Sequence, residues 1–162
     1  TGPTGQGAAA DTVAPPNADG LAGTVVRVVD GDTVEVNLAG GETERVRLLG
    51  IDTPETVKPD SPVECYGPEA SARAHELLAP GTEVIAQRDL EARDRFGRLL
   101  LYLWREADGV FVNEALVAEG FARTLSIEPN VAYRGVLADR QAEARRRGDG
   151  LWGTCPTEGD QG

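Results

Sequence analysis

Apolar and polar positions alternate in short runs after the first twenty residues. Gly23 to Val29 is rich in Val and leads into Asp30-Gly31, a tight-turn signal. Val34, Val36 and Leu38 then alternate with Glu35 and Asn37, the period of a strand with one buried face. Gly40-Gly41 marks another turn, and Thr43 to Leu49 returns as a third strand, completing a meander. A loop with several prolines follows, from Thr53 to Gly67. Pro68 suits the first position of a helix, and Glu69 beside it suits the positive end of the helix dipole. Ala70, Ala74, Leu77 and Leu78 give that helix one apolar face, and Pro80-Gly81 stops it. Two more strands are expected at Glu83 to Arg88 and Leu99 to Trp104. Asn113 is expected to cap a short helix ending at Gly120. A last helix, Tyr133 to Arg147, carries Val136, Leu137, Arg140 and Ala144 before Gly148.

Three strands, a helix, two strands and two helices predict an α+β domain, a five-stranded OB-fold barrel with three helices. That fold often presents one face to nucleic acid. The length of 162 residues suits one domain with a modest core. Residues 1–20 hold four Gly, three Pro and no basic residue, too little apolar surface to offset the entropy of ordering. They are expected to be a disordered leader or tether, with the domain at 21–155 and a flexible tail at 156–162. The chain starts at Thr1 rather than Met, so it is read as a processed or truncated form; a lipid-anchored tether is one option for the leader. No run reaches the roughly 18 apolar residues of a membrane-spanning helix.

A net charge of −11 argues against broad coating of nucleic acid through a basic face, but leaves room for a local basic pocket. Every basic residue except Lys58 is Arg. Cys65 and Cys155, 90 positions apart, are either one disulfide formed in an oxidising compartment or two unrelated buried thiols; the disulfide is the reading carried forward. With His75 as the single histidine, a four-ligand structural zinc site is excluded. His75 falls on the polar side of the first helix and reads as exposed.

Acidic residues cluster just after predicted strands: Asp30 and Asp32 in Asp30-Gly31-Asp32-Thr33, and Asp52 and Glu55 in Asp52-Thr53-Pro54-Glu55. Either motif alone reads as a turn, and the first fits an EF-hand poorly because its Gly stands at the wrong offset. Together they carry more weight, because the meander folds the end of the third strand back toward the first turn. Carboxylates from two segments, with carbonyls and water, suit a hard cation such as Ca²⁺ or Mg²⁺. Arg47 lies five residues before Asp52. A guanidinium grips phosphate with two prongs and stays charged at any relevant pH. Arg45, Arg88 and Arg93 read instead as surface salt-bridge partners, and Arg145-Arg146-Arg147 as a solvated helix end.

Several motifs, in order and spacing, resemble the staphylococcal nuclease (thermonuclease) family. They are Asp30-Gly31-Asp32-Thr33-Val34, Arg47-Leu48-Leu49-Gly50-Ile51-Asp52-Thr53-Pro54-Glu55 and Tyr66-Gly67-Pro68-Glu69-Ala70-Ser71. Asp94-Arg95-Phe96-Gly97-Arg98, Val112-Asn113-Glu114-Ala115-Leu116-Val117 and Gly150-Leu151-Trp152 continue the match, which spans Gly23 to Gly153. The resemblance implies a secreted bacterial nuclease that cleaves DNA and RNA with Ca²⁺, leaving 3′-phosphate and 5′-hydroxyl ends by endonuclease or exonuclease action. It implies Asp32 and Asp52 as calcium carboxylates, the Thr53 carbonyl as a further ligand, and Asp30 in support behind them. Glu55 would orient or deprotonate the attacking water, Arg47 and Arg98 would clamp the phosphate, and Arg95 and Phe96 would meet substrate. Single-stranded or locally melted DNA and RNA are the expected partners of a monomer, secreted or held at the cell surface.

The sequence also departs from the family pattern. Leu125 and Ile127 stand where the prototype has tyrosines before Pro129-Asn130, Phe96 replaces another tyrosine, and Arg95 replaces a lysine. Aromatic stacking contributes about 1–3 kcal/mol per base, so a different distribution of substrate affinity is expected. The loop from Thr56 to Cys65 holds Lys58 as its one base and adds little attraction for phosphate. A Cys65–Cys155 bridge would staple the C-terminal segment to the active-site side of the barrel, with Trp152 as a packing anchor. The alternative function is an OB-fold that binds nucleic acid without cutting it, or a calcium-stabilised interaction module; the acidic and arginine set favours the enzyme.

Overall fold

The computed structural model describes residues 13–16, 20–56 and 62–156. The tail after residue 156, most of the segment read as a leader, and Lys58 lie outside the described residues. Strand β1 (Leu21–Asp30) turns through Gly31-Asp32 into β2 (Thr33–Leu38), which pairs antiparallel with β3 (Thr43–Leu48). After a two-residue strand β4 (Ile51–Asp52) comes helix α1 (Gly67–Leu77), then β5 (Glu83–Arg93) and β6 (Leu99–Arg105). Helix α2 (Val112–Ala118), strand β7 (Arg123–Thr124), helix α3 (Arg134–Arg147) and one turn of helix, α4 (Leu151–Thr154), complete the chain. The strands close a barrel in the order β1-β2-β3-β6-β5, with β1 against β5 and a parallel β3–β6 pair. This is the five-stranded OB-type barrel that the alternation predicts.

Strand β6 shows why one strand reads as an unbroken apolar run: both of its faces are covered. Leu99, Leu101 and Leu103 point into the barrel core with Val36, Val46 and Leu48. Leu100, Tyr102 and Trp104 point outward into a second cluster with Leu49, Phe111, Val13 and Tyr133. Trp104 and Phe111 stack there with ring centroids 4.4 Å apart, and Tyr133 meets Trp104 edge-on at 5.9 Å. Val13 falls within the segment read as a leader, yet its carbonyl accepts the Trp104 Nε1–H at 2.9 Å.

Helix α1 has the expected apolar face, with Ala70, Ala74 and Leu77 buried. The expected cap at Asn113 is a correction. Helix α2 starts after Phe111, which makes no side-chain cap, and Asn113 lies one residue inside it, fully buried. Its Oδ1 accepts the Leu103 N–H at 3.0 Å and its Nδ2 donates to the Leu49 carbonyl at 2.8 Å. A buried amide used to join β6 to the end of β3 is not free to cap a helix. The short strands β4 and β7 pair antiparallel, Ile51 with Thr124 and Asp52 with Arg123, and so bring β7 to the edge of the acidic loop.

Candidate active site

The site is built where the β1–β2 turn meets the end of β3. Asp32 is fixed by its backbone, because its carbonyl accepts the Leu48 N–H at 2.9 Å. Its carboxylate is fixed too: Oδ2 accepts the Thr53 N–H at 3.1 Å and Oδ1 the Thr33 hydroxyl at 3.1 Å. Gly31 is required by the same approach. A Cβ there would fall 2.5 Å from Thr53 Oγ1 and 2.8 Å from Thr53 Cβ, so a side chain would push the two segments apart. Asp30 supports the loop from behind, with its Oδ1 accepting the Gly31 N–H at 2.8 Å and the Thr56 hydroxyl at 2.6 Å.

Arg47 lies between the carboxylates and is 7% exposed. Its Nη1 donates to the Leu48 carbonyl at 2.6 Å and the Ile51 carbonyl at 2.8 Å. Its Nη2 stands 3.6 Å from Asp32 Oδ2 and 3.6 Å from Asp52 Oδ1. One guanidinium thus holds two acidic segments together while its orientation is set by main-chain carbonyls. Asp52 is held above the usual carboxylate range, first by loss of hydration and then by the charge of Asp32, with Arg47 opposing both. Its side chain remains 57% exposed. That exposure limits the first cause, so repulsion from Asp32 is the cause the geometry supports best.

Two mutually repelling carboxylates that each place an oxygen 3.6 Å from one guanidinium nitrogen fit a hard divalent cation. Thr53 Oγ1, beside them, is buried and has no hydrogen-bond partner among the described residues, a polar atom left for a water or ion. No group of three or more acidic, histidine or cysteine side chains placed to hold a metal occurs among the described residues. Asp32, Asp52 and the Thr53 carbonyl, two carboxylates and one carbonyl oxygen, are donors of the kind a hard cation takes. Ca²⁺ takes about 6–8 oxygen ligands, so water and substrate would fill the remaining positions.

The other expected site residues are placed by separate elements. Glu55 is half-buried in the loop after β4, where its N–H donates to Glu64 Oε1 at 2.9 Å. Arg98 enters β6 beside β3, with its Nε donating to Asp94 Oδ2 at 2.7 Å. Phe96 is 69% exposed. The guanidinium of Arg95 lies 4.8 Å from its ring centre and that of Arg98 5.6 Å, giving an open aromatic face flanked by positive charge. Arg45 and Arg93 form the expected surface pairs with Glu35 and Glu44, each at 3.0 Å. His75 is exposed and its Nδ1 lies 2.7 Å from the Ser71 carbonyl.

Cys65 and Cys155 form a disulfide that ties the foot of α1 to the end of α4. Trp152 is half-buried, with the guanidinium groups of Arg123 and Arg145 lying 5.2 Å and 5.1 Å from its ring centre. Arg123 is in turn the β7 partner of Asp52, and its charge partly offsets the upward pull on the Asp52 carboxyl. Arg123, Glu64 and Thr56 are further neighbours of the site with no signature in the sequence. Their placement comes from pairing and loop contacts that leave no period in the chain.

A model of the family described as staphylococcal nuclease homologue matches residues 45–154. The match takes in Arg47, Asp52, Glu55 and Arg98, while Asp30 and Asp32 precede it. The thermonuclease of Staphylococcus intermedius is 42% identical over 128 residues, which cover 79% of this chain and 74% of that protein. The thermonuclease of Staphylococcus hyicus is 38% identical over 128 residues, 79% of this chain and 73% of its own. The SPbeta prophage-derived endonuclease YokF of Bacillus subtilis (strain 168) is 41% identical over 130 residues, 80% of this chain and 43% of its own.

Proposed function

The chain belongs to the staphylococcal nuclease family, and from that premise we propose that it is a calcium-dependent nuclease. It hydrolyses phosphodiester bonds of DNA and RNA and leaves 3′-phosphate and 5′-hydroxyl ends. The observation that carries the reading is Arg47 Nη2, 3.6 Å from both Asp32 Oδ2 and Asp52 Oδ1. It is a phosphate-binding cation set between two hard oxygen donors. The relatives named as thermonucleases and endonucleases support phosphodiester hydrolysis at this site.

Asp32, Asp52 and the Thr53 carbonyl would hold the cation. When bound, Ca²⁺ offsets the negative charge that builds on the phosphoryl oxygens. The chain's own groups do the rest. Arg47 is anchored through Nη1, so its Nη2 is the arm that reaches a phosphate once the carboxylates are otherwise engaged. Arg98 is anchored through Nε on Asp94, leaving its two Nη groups for the same phosphate. Both charges are oriented before substrate arrives, which is where electrostatic stabilisation is most effective. The carboxylate of Glu55 orients water and accepts its proton as the water oxygen bonds to phosphorus. The bond to the 5′-oxygen breaks, that oxygen takes a proton from solvent water and leaves as a hydroxyl, and the phosphate stays on the 3′ side. Positioned general-base action contributes about 10²–10⁴-fold. Phe96, between Arg95 and Arg98, offers a face for a nucleobase next to the clamp.

Residues 21–155 are the catalytic unit in this reading, with the segment before them as a tether that docks on the barrel through Val13 and residues 156–162 as a tail. It acts as a monomer, secreted or at the cell surface, and the Cys65–Cys155 bridge supports an oxidising compartment. No helix among the described residues is long and apolar enough to cross a membrane. The test is cleavage of single-stranded DNA in Ca²⁺, with an EDTA control and the variants Glu55→Gln and Arg98→Ala. Calcium-dependent fragments with 3′-phosphate ends, lost in the variants, are expected. Folded wild-type protein that binds DNA or calcium but does not cut would point to a binding module instead.

A further inference from the structure

The carboxylate of Glu55 can act on water only if its backbone is held still, yet Glu55 belongs to neither a helix nor a strand. Glu64 holds its backbone at two points. Its N–H donates to Glu64 Oε1 at 2.9 Å, and its carbonyl accepts the Glu64 N–H at 2.9 Å. The two residues stand nine positions apart, so this double contact closes the base of the loop between them. The neighbours on each side are tied as well. The Thr56 hydroxyl donates to Asp30 Oδ1 at 2.6 Å, and Cys65 is bonded to Cys155. Gly67 presses on the same segment: a Cβ there would lie 3.0 Å from the Glu55 carbonyl oxygen and 2.8 Å from Thr56 Cγ2.

We propose that Glu64 is a positioning residue for Glu55, its carboxylate fixing the Glu55 amide so that the Glu55 side chain leaves the backbone in one direction. The proposal rests on the reading of Glu55 as the group that orients the attacking water. Glu64 is exposed, so its bond adds little to stability. Its effect is angular. Without an acceptor on the Glu55 N–H, one of the two points at which Glu64 holds this backbone is lost, and the Glu55 carboxylate departs from its working direction by more than a reacting group tolerates. Displacement of about 1 Å costs on the order of 10²-fold in rate. The role needs an acceptor oxygen and not a charge, so a glutamine amide should serve. The disulfide strengthens the arrangement by fixing the residue next to Glu64.

The experiment compares wild type, Glu64→Ala and Glu64→Gln in steady-state cleavage of single-stranded DNA in Ca²⁺. Amide hydrogen exchange at Glu55 is followed by NMR in each protein. For Glu64→Ala, kcat is expected to fall about 10- to 100-fold with KM nearly unchanged, and the Glu55 amide to exchange faster. Glu64→Gln is expected to keep kcat within about fivefold, the cost of exchanging a charge-assisted bond for a neutral one, and to keep the protection of that amide. An active wild type with an unimpaired Glu64→Ala would overturn the positioning role alone. Glu64→Gln as defective as Glu64→Ala would overturn it too, by assigning the effect to charge. An inactive wild type would overturn the underlying nuclease reading, and the positioning role with it.

Discussion

Asp94 grips Arg98 at two points: its Oδ1 accepts the Arg98 backbone N–H at 2.9 Å and its Oδ2 accepts Nε at 2.7 Å. The guanidinium expected to clamp phosphate is therefore aimed by the turn that precedes its strand. Burial alone would raise the Asp94 carboxyl, but the Arg98 backbone N–H, the Arg98 guanidinium and the Phe96 N–H outweigh it and hold it below the usual carboxylate range.

A folded-state pKa below the unfolded one favours the native state wherever the carboxyl is charged. The contribution is present above the unfolded value, near pH 4, and is lost as pH falls through the folded value. Asp94→Asn is expected to unfold about 1–2 kcal/mol more easily at pH 7, the scale of a hydrogen bond to a charged group, with the gap narrowing toward pH 3. Its kcat should fall with Arg98 misdirected. Urea unfolding at both pH values checks the first point, and a gap that stays constant would show that the charge of Asp94 does not hold the turn.

Arg47 offers a sharper test of the acidic pair. Removing it by Arg47→Ala leaves Asp32 and Asp52 facing each other with no guanidinium between them, and leaves the Leu48 and Ile51 carbonyls without their donor. Breaking a largely buried pair costs about 3–5 kcal/mol; the exposure of Asp52 places the expected loss at the lower end. Millimolar Ca²⁺ should then restore more stability to Arg47→Ala than it adds to wild type, because the cation takes over the charge that was removed. Asp32→Asn in the wild-type background should abolish the calcium-induced rise in Tm. Thermal melts with and without calcium measure all three proteins, and equal calcium shifts in wild type and Asp32→Asn would place the ion elsewhere.

The Cys65–Cys155 bridge closes a 90-residue separation and holds α4 against the domain. Loss of such a bridge from a small domain typically costs about 2–5 kcal/mol. Reduction should free the C-terminal turn first, since Trp152 is held there by Arg123 and Arg145 rather than by a buried hydrogen bond. Tm should drop under reductant, and tryptophan fluorescence should change before far-ultraviolet dichroism does. Thiol titration of the unfolded, unreduced protein should find no free thiol; two would remove the bridge.

Much of this was readable in the chain because the barrel strands alternate. Val34, Val36 and Leu38 betray β2, and the turn at Asp30-Gly31 betrays its register. What was not readable has a physical reason in each case. Strands β4 and β7 have two residues each, too short to show a period, so the approach of Arg123 to Asp52 has no signature. Strand β5 continues to Arg93 past an irregularity after Arg88, where Leu90, 80% exposed, breaks the expected pattern. Asn113 looked like a cap because caps are the common use of an asparagine before a helix, whereas tertiary packing gave it a buried role. The meander predicts the meeting of the Asp30–Asp32 and Asp52–Glu55 segments, and the family resemblance implies Arg47 beside them. Glu64 was missed because its partner is a backbone amide, which every residue has.

On the other side of β6 the indole of Trp104 is completely buried and its Nε1–H depends on the Val13 carbonyl. Val13 also packs on the aromatic cluster. Deleting residues 1–16 would leave that donor without its acceptor and open one side of the Trp104–Phe111 stack. An unsatisfied buried N–H costs about 1–3 kcal/mol, less if water reaches the indole, and the lost packing of Val13 adds about 1 kcal/mol. The truncated chain is expected to unfold at lower urea and to show red-shifted tryptophan emission in its native state. Its kcat should stay near that of the full chain, because none of the candidate site residues touches this cluster. A truncation ending at residue 12, which keeps Val13, is expected to be the more stable of the two. Equal stability of the two truncations would mean that Val13 rests on the barrel without supporting it.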